Sequence, residues 1–136
     1  MSLKSIAAKI FASIVDKQTS KWSSKPVAIQ EKVFRNLIEK AQDTVFGKDH
    51  DFSTITSYKD FQGKVPVRDY EALRPYVDQV VAGESNILWP GKPLYYAKTS
   101  GTTSGAKFIP ITKESMPEHV KAARNAILSY IHETGK

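Results

Sequence analysis

Between two apolar runs the chain reads Thr99-Ser100-Gly101-Thr102-Thr103-Ser104-Gly105-Ala106-Lys107. Every residue from Ser100 to Gly105 is Ser, Thr or Gly, and a lysine follows two positions later. Small residues let a backbone curl so that several N–H groups converge, hydroxyls add donors, and Lys107 adds a full positive charge. That donor set suits a polyphosphate. Each charge-assisted hydrogen bond contributes on the order of 1.5–3 kcal/mol, so about three or four would account for most of a millimolar-to-micromolar nucleotide site.

The segment is not a Walker loop, whose pattern is G-x-x-x-x-G-K-S/T. Gly101 and Gly105 stand one residue too close, Ala106 intervenes before Lys107, and Phe108 replaces the magnesium-binding hydroxyl. The adjoining Phe108-Ile109-Pro110-Ile111 reads as a strand rather than a helix. The plainer alternative is a hairpin tip built from turn-compatible residues. A hairpin needs only about two to five loop residues, however, and has no use for so many hydroxyls ahead of a lysine.

Periodicity supplies the elements on either side of this segment. Leu94 to Lys98 and Lys107 to Thr112 are predicted strands, rich in β-branched and aromatic residues, and Asn86 to Trp89 is a candidate third. Upstream, Tyr70, Leu73, Tyr76, Val77, Val80 and Val81 repeat at helical spacing from Val67 onward, with Gly83 as the stop. Pro75 lies inside this run and predicts a break near Arg74 into two short helices. Residues 48–66 predict a connecting segment with one short helical turn.

At the front, Leu3, Ile6, Ala7, Ile10, Ile14 and Val15 form one face of an amphipathic helix, expected to pack on a second helix. Ser23-Ser24-Lys25-Pro26 separates the two, with Ser as the cap and Pro in the first turn. The second helix carries Ile29, Val33, Phe34, Leu37, Ile38 and Ala41 and is expected to stop at Gly47. A last helix opens on a capping box, Ser115-Met116-Pro117-Glu118, with Met116, Val120, Ala123, Ile127, Tyr130 and Ile131 as its buried face and Gly135 as its end.

With these neighbours in place, Ser100 to Lys107 followed by Phe108-Ile109-Pro110 resembles the phosphate-binding loop of the adenylate-forming (acyl-activating) superfamily. Ser104 ahead of Gly105, and Ile109-Pro110-Ile111-Thr112 after it, are most similar to the GH3 auxin-responsive family of acyl-acid amido synthetases. The resemblance extends to Val65-Pro66-Val67-Arg68-Asp69-Tyr70-Glu71-Ala72-Leu73-Arg74-Pro75-Tyr76 and to Gly83-Glu84-Ser85-Asn86-Ile87-Leu88-Trp89-Pro90-Gly91. It implies an α/β fold: a helix-rich N-terminal part of an adenylate-forming domain, with two or three strands around the loop.

The resemblance also implies an activity. A substrate carboxylate attacks the α-phosphate of ATP, and the acyl group then passes from the acyl-adenylate to an amine, usually of an amino acid. Carried onto this chain, Ser100, Thr102, Thr103 and Ser104 supply donors, Gly101 and Gly105 permit the turns, and Lys107 is the cation that meets charge on the departing pyrophosphate. Magnesium is the expected companion of ATP. Family members are several times longer than 136 residues. The chain is therefore expected to be an N-terminal portion of a larger adenylation domain, residues 1–64 a helical lead-in and 65–136 the phosphate-loop region, inactive alone and with apolar surface left exposed. The alternatives are an acyl-CoA ligase of the same superfamily and a non-catalytic helical module that binds phosphate or a partner.

Composition narrows the field. The 136 residues include 20 Lys and Arg, 14 Asp and Glu, and no Cys, for a net charge of +6. Without Cys there is no disulfide scaffold, thiolate zinc site or Cys nucleophile, and the chain suits a reducing cytoplasm. Residues 1–48 carry 9 basic and 4 acidic groups, spaced as solvated helix faces rather than as an Arg cluster with stacking aromatics, so nucleic acid is not the expected partner. No run approaches the roughly 18–20 apolar residues of a membrane span. Lys9 and Asp16 interrupt what would otherwise resemble a signal peptide. Asp49-His50-Asp51 reads as a solvated turn rather than a calcium loop, because Thr54 stands where such a loop needs glycine. His119 and His132 have no partner at a recognised spacing. Trp22, Trp89, Tyr95 and Tyr96 read as packing residues, with Tyr95 and Tyr96 on opposite faces of a strand.

Overall fold

A computed structural model describes residues 3–100 and 105–135. The elements run α1 (Leu3–Ser23), α2 (Pro26–Ala41), α3 (Val45–Asp49), a 3₁₀ turn (Phe52–Thr54), α4 (Tyr58–Lys64), α5 (Tyr70–Val81), β1 (Tyr95–Thr99), β2 (Lys107–Ile111) and α6 (Ser115–Thr134). The chain is α/β and mostly helical, with one two-stranded antiparallel sheet among the described residues. It divides into two compact units, Met1–Gln30 with Glu114–Lys136, and Glu31–Lys113.

In the first unit α1 pairs with α6 around Ala12, Val15 and Leu128, with Ile131 against them. Ala12 is completely buried, and a helix can approach closely where the facing side chain is this small. Asp16 and His132 lie 3.5 Å apart on the same pair of helices. The expected faces are used only in part: Val15 and Ile131 join the seam, the others do not. Leu3, Ile6, Ile10 and Ile14 of α1 are exposed, as are Val120, Ile127 and Tyr130 of α6. Both helices carry apolar residues around more than half of their circumference, and periodicity alone does not say which part faces a neighbour. The partner of α1 within its unit is α6. Ser23 and Ser24 do not cap α2: their hydroxyls donate back to the carbonyls of Ser20 and Lys21, closing α1. The expected box at Ser115 also shifts, since Ser115 is already helical and Glu114 holds the cap position without a side-chain capping bond.

The second unit has a core of Ile38, Ala41, Phe52 and Ile55, edged by Phe34, Phe46, Phe61, Val65 and Trp89. Edge-to-face rings knit it together, with Phe34 and Phe61 centred 5.6 Å apart and Phe46 and Phe52 5.9 Å apart. Residues 48–66 are more structured than a linker because polar side chains cap each short helix. Thr44, almost fully buried, donates to Ala41 O at 2.6 Å and accepts from Gly47 N at 3.0 Å, which starts α3. Ser57 and Asp60 form a reciprocal capping box at α4. Asp60 Oδ2 also accepts from the amide and hydroxyl of Thr56.

Gly47 is inside α3 and does not stop α2, which ends at Ala41. A Cβ at Gly47 would lie 2.1 Å from Ala41 O, so the glycine permits a close approach of two backbone segments. Pro75 sits within a single helix, α5, instead of dividing it. The donor it lacks would have served Glu71, whose exposed position lets water take that carbonyl. Asp69 caps α5 by accepting from Ala72 N at 2.9 Å, and buried Val77 and Val80 hold its second half. Asn86 to Trp89 is not a strand. Its Asn86 and Ile87 carbonyls accept the Val45 and Phe46 amides at the start of α3, while Ile87 plugs the unit at 3% exposure.

Replacing Gly47→Ala forces the Ala41 carbonyl aside. We expect it to lower stability by about 1–3 kcal/mol, read from the urea midpoint. Asp60 offers a pH test. The Thr56 hydroxyl, then the Thr56 amide and the Ser57 bonds, hold its carboxyl down from 3.8 to about 2. A carboxyl with a lowered folded value stabilises fully above its unfolded value and loses that contribution as pH falls through the folded one. Urea denaturation across pH 4 to about 2 should therefore show a steeper acid loss for the wild type than for Asp60→Asn. Parallel curves would remove Asp60 from the acid response.

Candidate functional site

β1 and β2 pair antiparallel with Tyr95 opposite Ile111, Tyr96 opposite Pro110, Ala97 opposite Ile109, Lys98 opposite Phe108 and Thr99 opposite Lys107. The two expected strands are thus present, within a residue of their predicted limits. Residues 100–106 join the last rung, so Ser100 and Lys107 are brought to one end of the hairpin. Ser100 and Gly105 are exposed and Lys107 is half-buried. Gly105 has φ +82°, a backbone region that side chains with a Cβ rarely enter, which gives this glycine a positional reason. Gly101, Thr102, Thr103 and Ser104 lie outside the described residues.

The hairpin is docked on α5 by two tyrosines. The Tyr96 hydroxyl donates to Val80 O at 2.7 Å, and the Phe108 amide donates to the Tyr70 hydroxyl at 2.9 Å. Phe108 meets the Tyr96 ring edge-on, with centroids 6.4 Å apart. Tyr96 therefore faces α5, while Tyr95, at 60% exposure, faces away, as strand alternation requires. α5 is tied down in turn. Tyr76 packs edge-to-face on Phe46 and donates to Asp49 Oδ2 at 2.8 Å. Burial first, and then the bond to Asp49, push the Tyr76 phenol above its ordinary value, with Arg68 opposing.

The lysines next to the connecting segment rest on rings. Lys107 Nζ lies 5.3 Å from the centroid of Tyr70, and Lys98 Nζ lies 5.9 Å from that of Phe108. Neither takes part in the ion pairs among the described residues. A cation resting on a ring keeps its charge available to an anion, which a carboxylate partner would neutralise. Local sequence singles out Lys107 but not Lys98, Tyr70 or Tyr96. Lys98 stands opposite Phe108, one rung from Lys107, and strand alternation puts it on the other face, so alternation does not single it out. Nothing local links Tyr70 to a lysine so far along the chain.

The other candidates are drawn to separate partners. His50 is buried, stacks on Phe46 at 4.2 Å and donates from Nδ1 to Phe46 O at 2.7 Å. Asp49 accepts from Tyr76, and Asp51 faces Lys64 at 3.4 Å. Among the described residues no three His, Asp or Glu side chains gather into a metal-binding group. An open concavity of about 320 Å³ lies between α2 and residues 52–56, lined by Phe34, Ile38, Phe52 and Ile55 with Arg35 and Glu39 at its rim. Its Arg35 is already bound to Glu31 at 2.6 Å. No helix among the described residues is long and apolar enough to cross a membrane.

The GH3 family N-terminal domain matches residues 16–136. Indole-3-acetic acid-amido synthetase GH3.2 of Arabidopsis thaliana is 29% identical over 93 residues, which is 67% of this chain and 17% of that protein. Indole-3-acetic acid-amido synthetase GH3.3 of the same plant is 30% identical over 90 residues, 65% of this chain and 15% of that protein. Jasmonoyl-L-amino acid synthetase JAR6 of Nicotiana attenuata is 29% identical over 90 residues, 65% of this chain and 16% of that protein. The chain spans less than a fifth of the length of each of these relatives. The family match takes in both strands, the segment between them and the helix on which they rest, and this chain belongs to the GH3 family.

Proposed function

We propose that this chain is the N-terminal portion of an ATP-dependent acyl-acid amido synthetase, with residues 1–64 as a helical lead-in and 65–136 as the phosphate-loop region. One observation carries the reading. A run of Ser, Thr and Gly lies in the connection between two antiparallel strands, and Lys107, which begins the second strand, keeps its ammonium out of the ion pairs among the described residues. The names of the relatives supply the chemistry: two conjugate indole-3-acetic acid as an amide, and one joins a jasmonoyl group to an amino acid. A small carboxylic acid and the amine of an amino acid are accordingly the proposed substrates. A chain without cysteine suits the cytoplasm, where we place the reaction.

In such a reaction a carboxylate oxygen bonds to the α-phosphorus of ATP and pyrophosphate leaves; an amine then attacks the acyl carbon and AMP leaves. This chain's part is to hold the phosphates that depart. Ser100, Thr102, Thr103 and Ser104 offer hydroxyl and backbone donors, Gly101 and Gly105 allow the backbone to turn toward the anion, and Lys107 meets the charge that grows on the leaving group. The donor set fits a polyphosphate, being rich in N–H and O–H groups. Magnesium, when bound with the nucleotide, shares the phosphate charge.

Lys107→Ala should weaken binding of magnesium ATP to the chain by about tenfold or more, the value of one charge-assisted hydrogen bond, measured by titration calorimetry. Within a protein of its relatives' length the same change should slow ATP–pyrophosphate exchange to a similar degree. An unchanged rate there removes the lysine from the mechanism. The chain alone should show no exchange.

A further inference from the structure

The contacts around Tyr70 reach beyond fold maintenance. Its hydroxyl accepts the Phe108 amide at 2.9 Å, and its ring lies beneath the ammonium of Lys107 at 5.3 Å, so one side chain touches two successive residues at the loop's C-terminal base. Tyr70 is itself fixed, as the first residue of α5 directly after its capping Asp69. A lysine side chain has four rotatable bonds, and an anion that captures it must first restrict them. Resting the ammonium on a ring whose hydroxyl is anchored by the Phe108 amide restricts them beforehand. The ring does this without neutralising the charge.

We infer that Tyr70 is the positioning residue for the Lys107 ammonium, holding it in place at the C-terminal base of the loop for capture of a polyphosphate. The inference rests on the phosphate-binding reading of that segment. The two contacts have separable roles. The hydroxyl sets the backbone at Phe108, and through it the direction in which the Lys107 side chain leaves the strand. The ring sets the position of the ammonium. Tyr70 touches neither of the reacting atoms in this scheme and acts through Lys107.

The test uses the whole 136-residue chain, with magnesium pyrophosphate as the probe and NMR as the readout. Without ligand, the Lys107 side-chain protons next to Nζ should be shifted upfield by the ring in the wild type and in Tyr70→Phe, and not in Tyr70→Leu; no upfield shift in the wild type overturns the inference. In Tyr70→Phe, which keeps the ring, the Phe108 amide should exchange about two- to tenfold faster, the value of a net hydrogen bond. Tyr70→Leu should weaken pyrophosphate binding by about two- to fivefold, the range of an exposed cation–π contact. The same substitution should change nothing further in a Lys107→Ala background.

The outcomes separate the two readings. If Lys107→Ala loses binding while Tyr70→Leu binds like the wild type, the positioning role is overturned and the phosphate loop stands. If Tyr70→Leu costs the same with or without Lys107, its role is structural only and the inference is again overturned. If the wild type and Lys107→Ala bind pyrophosphate alike, both readings fall.

Discussion

A two-stranded antiparallel ribbon has no interior of its own and in water is marginal. β1 and β2 therefore depend on α5, and they reach it through the Tyr96 bond to Val80 O and the Phe108 bond to Tyr70. The dependence continues inward. α5 is pinned by buried Val77 and Val80 and by Tyr76, whose ring meets Phe46 and whose hydroxyl meets Asp49 on α3. α3 starts at Thr44 and takes its remaining caps from the Asn86 and Ile87 carbonyls. The hairpin is thus held by a chain of contacts that runs back to the Ile38, Ala41, Phe52 and Ile55 core.

This arrangement explains why the basic groups at the hairpin can remain available. Elsewhere among the described residues a few basic side chains pair with acids: Arg35 with Glu31, Arg74 with Glu71, Lys121 with Glu118. These pairs are exposed, each worth well under about 1 kcal/mol, and they settle charge without organising a site. At the hairpin, Lys98 and Lys107 lie over Phe108 and Tyr70 instead. A ring face attracts an ammonium, occupies only one side of it, and leaves donors directed outward. The same aromatic residues that attach the hairpin to the core also hold its cations.

The first unit shows a different balance. α1 and α6 bury one narrow seam, Ala12, Val15 and Leu128, while Leu3, Ile10, Val120 and Ile127 remain in solvent. In the second unit α2 does the same, burying Ile38 and Ala41 and exposing Val33 and Leu37. A helix with apolar residues on more than one face has room for more than one neighbour. The exposed apolar surface expected from the sequence is present on all three helices.

Much of the site is legible in the chain itself. Six adjacent Ser, Thr and Gly residues and a lysine announce a polyphosphate donor set because their chemistry is local, and alternation in the flanking runs announces two strands because a period of two is local as well. The order of helices, the glycine stops of α5 and α6, and the opposite facing of Tyr95 and Tyr96 follow from the same short-range rules. Other features lie beyond them. Pro75 does not divide α5, because packing of Val77 and Val80 outweighs one missing bond. Gly47 ends no helix, because its reason is the nearness of Ala41. The buried seams of α1 and α6 differ from the expected faces, because amphipathic period names a set of faces and only a partner selects among them. Sequence thus determined which groups are present at the loop and how the chain near them extends. Only tertiary structure decided that Tyr70, distant along the chain, stands beneath Lys107, because a contact between elements depends on how they pack and leaves no mark on local spacing.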